Sequence, residues 1–395
     1  MAIMATIPLQ EPHRRGADPH GFALLALGFR PFFLLAGLFA ALALPLWLLT
    51  LSAHVPLPPY YGALWHAHEM LFGFAVAVVA GFLLTATRNW TGIQTLQGSP
   101  LAALALLWVA ARLLVWLPLP GALIAAVDLA FLPLLALALA VPVTRARQWH
   151  NLLFTPILLL MALANGLIHL ELLGGPAVAE RGLQIMVVLM LVLLALMGGR
   201  VIPFFIERAV PGSTVRRFRL LEWGVHASLW ALLVAIIWPG GGQWATVAAG
   251  AAALLHALRL AGWSCLGLWR VPMLWILWLG YGWIVVGLAL YAAGLAGAAL
   301  HAWTAGGIGA LTLGMMARVA LGHTGRLIEP ARLTVAAFAL INLAVLLRVA
   351  GPLLLPEHYL LWMQLSGLLW ATAFLLFSLV YAPILWRPRI DGRDG

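Results

Sequence analysis

The sequence predicts an all-α membrane protein, a polytopic bundle of about twelve transmembrane helices with both termini in the cytoplasm. Three observations carry this expectation. Of 395 residues, 64% are hydrophobic and 9% charged, with a mean hydropathy of +1.03, a balance that a water-exposed surface cannot accommodate. Apolar stretches follow one another from residue 22 to 386 with no polar block long enough to fold separately. The arginines between them fall on alternate loops.

Crossing a ~30 Å hydrocarbon core takes about 20 apolar residues. Stretches of that length lie at 22–51, 66–87, 100–119, 121–142, 151–173, 183–206, 221–238, 243–262, 273–297, 301–322, 331–354 and 359–386. The clearest turns between them are "LPLPG" at 117–121 and "PGGGQ" at 239–243. The chain therefore divides into a cytoplasmic segment 1–21, one transmembrane domain 22–386 and a cytoplasmic tail 387–395. The first 21 residues lack a basic stretch leading into an apolar core and a small-residue cleavage site, so the first span is expected to be retained.

Orientation follows from the arginines. With the N-terminus inside, the cytoplasmic segments hold Arg14 and Arg15; Arg88; Arg145 and Arg147; Arg208, Arg216, Arg217 and Arg219; Arg270; Arg326 and Arg332; and Arg387, Arg389 and Arg393. The opposite loops hold Arg181. The formal charge of +10 comes entirely from such dispersed arginines, with no basic stripe, so nucleic acid is not expected as a partner and membrane lipid is. Cys265 is the single cysteine, which excludes an internal disulfide and any two-thiolate metal site. Metal chemistry must rest on histidine, methionine or a cofactor.

Polar side chains within spans are the functional candidates of a membrane protein, because an ionised group costs roughly 2.5–3.5 kcal/mol near a helix centre. The stretch "ALWHAHEMLFGF" at 63–74 places His66, His68 and Glu69 at the outer mouth of the second span. His169 ends the fifth span and His301 opens the tenth, at the same outer level. On a regular helix His68 lies about 200° round from His66, whereas Glu69, Met70 and Gly73 fall on the face of His66. Small residues at 305, 306, 307, 309 and 310 point to close packing after His301, around a ligand or against another helix. Snorkelling of His66, His68 and Trp65 to headgroups is the bland alternative.

A second polar level lies toward the cytoplasm, with Arg30, Asn89, Arg200, Arg318 and His323. Few carboxylates are available there beyond Glu207 and Glu222, so those guanidinium groups call for a bound anion: haem propionates, a nitrate-like oxyanion or lipid phosphate. Arg112 and Asp128 flank the 117–121 turn at nearly equal distances and are expected to pair across a hairpin, as a structural pair in which exchange is better tolerated than single loss. Glu222 and His226, at i and i+4, are expected to form a local pair.

Phosphate-cradling loops, G-x-S-x-G, H-E-x-x-H and C-x-x-C-H are all absent. Imidazole, thioether and arginine in an apolar bundle suit non-covalent haem ligation, with copper as a second possibility.

The stretches "LGFRPFFLLAGLFA", "WHAHEMLFGFAVAVVAGFLLTATRNWTG", "GGRVIPFF" and "LTLGMMARVALGHTGR" resemble the NnrS family of bacterial membrane proteins, over about residues 27–350. The resemblance implies twelve spans, haem and copper as cofactors, a bacterial inner-membrane location and a link to the nitric oxide response of denitrifying and pathogenic bacteria. A remoter analogy, of fold alone, is with the main subunit of haem-copper oxidases and nitric oxide reductases, whose low-spin haem is held by histidines near the outer ends of the second and tenth spans. His66 or His68 and His301 occupy those places, and Arg348 stands where that superfamily keeps propionate-binding arginines. Its copper centre has no counterpart, since "LLVAIIW" in the seventh span holds no histidine.

The leading expectation is a haem b protein handling nitric oxide, with His68, preferred over His66, and His301 as iron ligands. His169 is a nearby ligand or hydrogen-bond partner, and Glu69 orients a ligand histidine through its second nitrogen. A quinol or cytochrome would donate electrons. A cofactor-free anion transporter lined by Arg30, Arg200, Arg318 and His323 is the competing reading, and a sensor or assembly partner without turnover the third. Reporter fusions at Gly98, Trp149 and Gly212 are expected to read cytoplasm, and those at Pro58, Gly241 and Glu357 the opposite side. Two or more reversed reporters would overturn the twelve-span orientation.

Overall fold

A computed structural model describes residues 21–392. The segment 1–21, for which retention of the first span was argued, falls outside these residues except at Gly21. Among the described residues there are twelve principal helices and no strands. In chain order they are α1 (Phe29–Leu51), α2 (Gly62–Thr91), α3 (Gly98–Leu114), α4 (Gly121–Arg145), α5 (Trp149–Leu172), α6 (Ala179–Ala209), α7 (Arg219–Ile237), α8 (Gly242–Gly262), α9 (Pro272–Ala292), α10 (Ala296–His323), α11 (Arg332–Leu354) and α12 (Pro356–Trp386). All but α3 are long and apolar enough to cross a membrane. The protein is a multi-pass membrane protein of all-α class.

Each helix corresponds to one expected span, with shifted ends that have local causes. The first span starts at Phe29, because residues 22–28 form turns whose Ala23 N–H donates to the Trp386 carbonyl. The ninth ends at Ala292, where Gly294 takes a left-handed φ of 79° and closes the helix. As a result α10 begins at Ala296 and His301 lies inside it rather than opening it. Gly240, at φ 77°, makes the turn between α7 and α8.

The most buried long helices are α2, α6 and α10, with 89%, 67% and 72% of their apolar windows inside, against 50% or less for the others. They are every fourth helix of the chain and form the centre around which the rest pack. The end carrying Ala23 and Trp386 is called the terminal end below, and the opposite one the distal end. Two of the central helices each contain a widened π-type turn, Glu69–Ala75 in α2 and Ala302–Ile308 in α10. Such turns shift the angular register of everything beyond them and concentrate at functional sites.

In α10 the small residues serve helix packing. A Cβ on Gly306 would meet the Trp283 side chain of α9 at 2.6 Å, and one on Gly309 would meet Trp370 of α12 at 2.9 Å. That decides between the two readings of the 305–310 run in favour of helix against helix.

Near the terminal end, Glu222 of α7 does not pair with His226. It takes the Arg259 guanidinium of α8, which also donates to the Ala195 carbonyl of α6 at 2.9 Å and the Tyr281 hydroxyl of α9 at 3.0 Å. Arg259 is fully buried and ties four helices together. Gly199 makes room for it, since a Cβ there would fall 1.8 Å from Arg259 Nη2. Gly199→Ala is therefore expected to destabilise the bundle by about 1–3 kcal/mol through overpacking, read as a lower Tm of the detergent-solubilised protein. An unchanged Tm would show that Arg259 is free to move aside.

Candidate functional site

The distal half of the bundle holds two polar assemblies on opposite sides of α2. His66 and His68 both precede the widened turn and keep the angular offset of a regular helix, so they diverge. His66 faces a large cavity and His68 faces α4 and α5.

The cavity has a volume of about 670 Å³ and is enclosed mainly by α1, α2, α6, α10, α11 and α12. Its wall is largely apolar, with Leu44, Leu48, Phe74 and Trp370 among the lining residues, and His66, His301 and Arg348 supply polar groups. Trp47 of α1 stacks on the His66 ring at 4.9 Å and 10°. Among the described residues neither ring nitrogen of His66 makes a hydrogen bond, and its Nδ1 is buried. The His301 Nδ1–H donates to the Gly297 carbonyl at 2.8 Å, one turn back in α10. That bond fixes the tautomer and leaves the Nε2 lone pair available. Arg348 of α11 donates to the Tyr359 hydroxyl at 3.2 Å and lies over that ring.

The second assembly is a buried ionic cluster. Asp128 of α4 is its hub. Its Oδ1 is paired with Arg112 Nη2 of α3, and its Oδ2 accepts from Asn165 Nδ2 at 2.7 Å and His169 Nε2 at 3.0 Å, both of α5, and lies 3.3 Å from His68 Nε2. His68 Nε2 is also 2.9 Å from Asn165 Oδ1 and 3.1 Å from the Tyr61 hydroxyl, while its Nδ1–H donates to Glu69 Oε1 at 3.1 Å. The other Glu69 oxygen accepts from Arg112 Nη1 at 3.1 Å. The Tyr60 hydroxyl is 2.8 Å from His169 Nδ1. Burial, with the nearby Asp128 carboxylate, pushes the Tyr60 phenol up to about 12, so it remains a donor. Two carboxylates, Glu69 and Asp128, thus share the single guanidinium of Arg112, with His68 bridging them on the other side.

Glu69 thus sits with His68 and not on the His66 face, because the widened turn begins at Glu69 itself. Met70 goes the other way and lines the cavity. Gly73 accommodates no planar ligand. It leaves space for the ion pair, since a Cβ there would meet Glu69 Oε2 at 2.9 Å and Arg112 Nη1 at 3.1 Å, and its carbonyl accepts from Trp108 Nε1 at 3.1 Å.

The structure brings together His66, His301 and Arg348 at the cavity, and separately His68, Glu69 and His169 at the cluster. His68 and His301, the pair favoured from the sequence, do not face one site. The terminal-end arginines find partners inside the protein. Arg30 donates to the Leu385 and Arg387 carbonyls at 2.8 and 2.7 Å, Arg200 to Asn151 Oδ1 at 2.9 Å, and Arg318 lies over the Phe205 ring at 3.7 Å. His323 meets Asn89 at 3.4 Å. Backbone carbonyls, an amide and an aromatic face thus engage these cations, and no carboxylate is among the partners named here. Sequence reasoning missed Tyr60, Tyr61, Asn165 and Arg259; only Asn165, in the span of His169 and one helical turn before it, carried a usable signal.

These motif-bearing helices fall within a family match. The model of the NnrS protein family covers residues 23–389, nearly the whole chain. The chain belongs to the NnrS family. No curated protein matches it. The NnrS match spans both distal assemblies and all twelve helices.

Because four donors converge on Asp128, exchanging it with Arg112 is no longer expected to be tolerated: the exchange would turn a guanidinium toward His169 and Asn165. Asp128→Asn should cost about 3–5 kcal/mol, as for a buried ion pair losing one partner, seen as lost yield and a lower Tm. Wild-type stability in Asp128→Asn would show that the cluster does not hold these helices.

Proposed function

We propose that this chain is a haem protein of the bacterial inner membrane acting in the nitric oxide response, with haem b in the distal cavity between His66 and His301. One observation carries the reading: two helices present imidazoles, free of protein hydrogen bonds on at least one nitrogen each, into a single apolar cavity of about 670 Å³, a size typical of cofactor pockets. The residues fit a tetrapyrrole. His301 Nε2 is the readied ligand, since the Gly297 carbonyl holds Nδ1–H. His66 is the second ligand or the group facing an iron-bound molecule, its plane set by Trp47. Arg348 suits a propionate. When bound, haem would supply an iron able to take nitric oxide or an electron. The apolar wall excludes water and favours a neutral diatomic that partitions into lipid. A quinol or cytochrome is the expected electron donor. In an anion transporter these terminal-end arginines would have to exchange their contacts within the protein for the anion.

The test is the absorption spectrum of the purified chain and of single variants. Wild type is expected to show a Soret band that shifts with nitric oxide. His66→Ala and His301→Ala should each lower haem per protein several-fold, with His323→Ala unchanged. Full occupancy and an unshifted spectrum in both cavity variants would overturn the assignment.

A further inference from the structure

We propose that the terminal end carries a discrete site for the headgroup of an anionic phospholipid, formed by Arg88, Arg326 and Arg387 where α1, α2, α10 and α12 meet. Short contacts tie these segments together. Arg389, just past α12, donates to the His323 carbonyl at 2.9 Å, and the Ile390 N–H to the Thr324 carbonyl at 3.2 Å, so the tail lies along the end of α10. Arg30 of α1 donates to the Arg387 carbonyl at 2.7 Å. Asn89 of α2 meets the His323 ring at 3.4 Å, and the centre of the Phe29 ring lies 5.7 Å from that of His323. Arg88 from the last turn of α2, Arg326 from the loop after α10 and Arg387 from the tail are thereby brought to one region.

Charge is unbalanced in that region. Arg88 and Arg389 lie within electrostatic reach of His323, Arg326 and Arg389 within reach of Arg30, and Arg387 within reach of Arg326. Among the described residues the carboxylate paired with this group is Asp391. Arg389 occupies both of its oxygens, Nε to Oδ1 at 2.8 Å and Nη2 to Oδ2 at 2.5 Å. Glu329, exposed in the loop of Arg326, makes no ion pair among the described residues. The Arg88 and Arg387 guanidinium groups make no hydrogen bond or ion pair among them either, and Arg326 donates once, to the Thr324 carbonyl at 3.4 Å. Like charges gathered in this way repel, and a bound anion removes the repulsion. Topology asks only that arginines stand on one side of the membrane, not that three from separate segments converge.

The surroundings select a lipid over a free anion. Trp386, Ile390, Leu327 and Ile328 are exposed around the arginines. Apolar side chains beside cations at helix ends match the boundary between headgroups and acyl chains. A ligand with an anionic head and an acyl tail covers both kinds of surface, whereas inorganic phosphate covers the charge alone. Guanidinium groups, with their planar fork of donors, suit the phosphate oxygens.

This region is at the opposite end of the bundle from the haem cavity, so its test does not depend on haem. The experiment uses the full-length protein in detergent, delipidated and then titrated with dioctanoyl phosphatidylglycerol, dioctanoyl phosphatidylcholine or inorganic phosphate. Tm and the lipid retained after desalting are the readouts. Phosphatidylglycerol is expected to raise Tm saturably and to stay bound, and the other two to do neither. Arg387→Gln removes a side chain without partners among the described residues, so the fold is kept. It should weaken phosphatidylglycerol binding about fivefold, and the double variant Arg326→Gln/Arg387→Gln about 25-fold, the factor expected for each arginine lost near an anionic headgroup. Arg270→Gln, which removes an exposed arginine between α8 and α9 at the same end, should bind like wild type. Equal action of phosphatidylcholine would overturn the site, as would wild-type affinity in both Arg387→Gln and the double variant. Equal weakening by Arg270→Gln would replace it with the general charge of this face. Equal action of inorganic phosphate at the same concentration would overturn the lipid assignment in favour of a free anion.

Discussion

A carboxylate embedded in an apolar bundle has no water to fall back on, so every lone pair must be met by a donor from a neighbouring helix. Asp128 is met by Arg112, Asn165 and His169, with His68 beside them. Those contacts fix how α2, α3, α4 and α5 sit against one another in the distal half. In lipid, apolar side chains give neighbouring helices little reason to choose a particular partner or rotation, because hydrocarbon surrounds them either way. The directional groups choose. Arg259 does for α6 to α9 what Asp128 does for α2 to α5, and Arg30 does it between α1 and α12.

The same logic explains why α2 can serve two assemblies. It is the most buried helix, reached from every side by other helices rather than by lipid. His66 and His68, two residues apart, therefore meet different neighbours: Trp47 and the cavity for one, Asp128 and Asn165 for the other. The widened turn at Glu69 then carries a carboxylate to the cluster side while Met70 returns to the cavity. A one-residue insertion into the ring of hydrogen bonds thus partitions one short motif between two chemistries.

Depth was readable from the sequence, and direction was not. The spans, their number and the common level of His66, His169 and His301 follow from apolar length and arginine placement, both of which are properties of position along the chain. Which way His68 points depends on the register of α2 against α4 and α5, and the register is set by side chains far away in sequence. The Arg112 and Asp128 pairing was legible because a short hairpin forces equal distances from its turn into contact. Tyr60 was not, since a phenol announces no partner, and Asn165 offered only its place one helical turn before His169. The contacts of the terminal-end arginines were illegible for a related reason: carbonyls at the end of α12 and the face of Phe205 leave no mark in a sequence as partners for a guanidinium. Helix ends moved where a glycine, such as Gly294, ended the helix before the apolar run did.

Arg30 donates to the carbonyls of Leu385 and Arg387, some 355 residues downstream. These two bonds therefore cannot form during synthesis until the last helix has been made. The contact works like a clasp: it joins the opening helix to the final one, so a chain cut short before α12 lacks the carbonyls that hold Arg30 at this end.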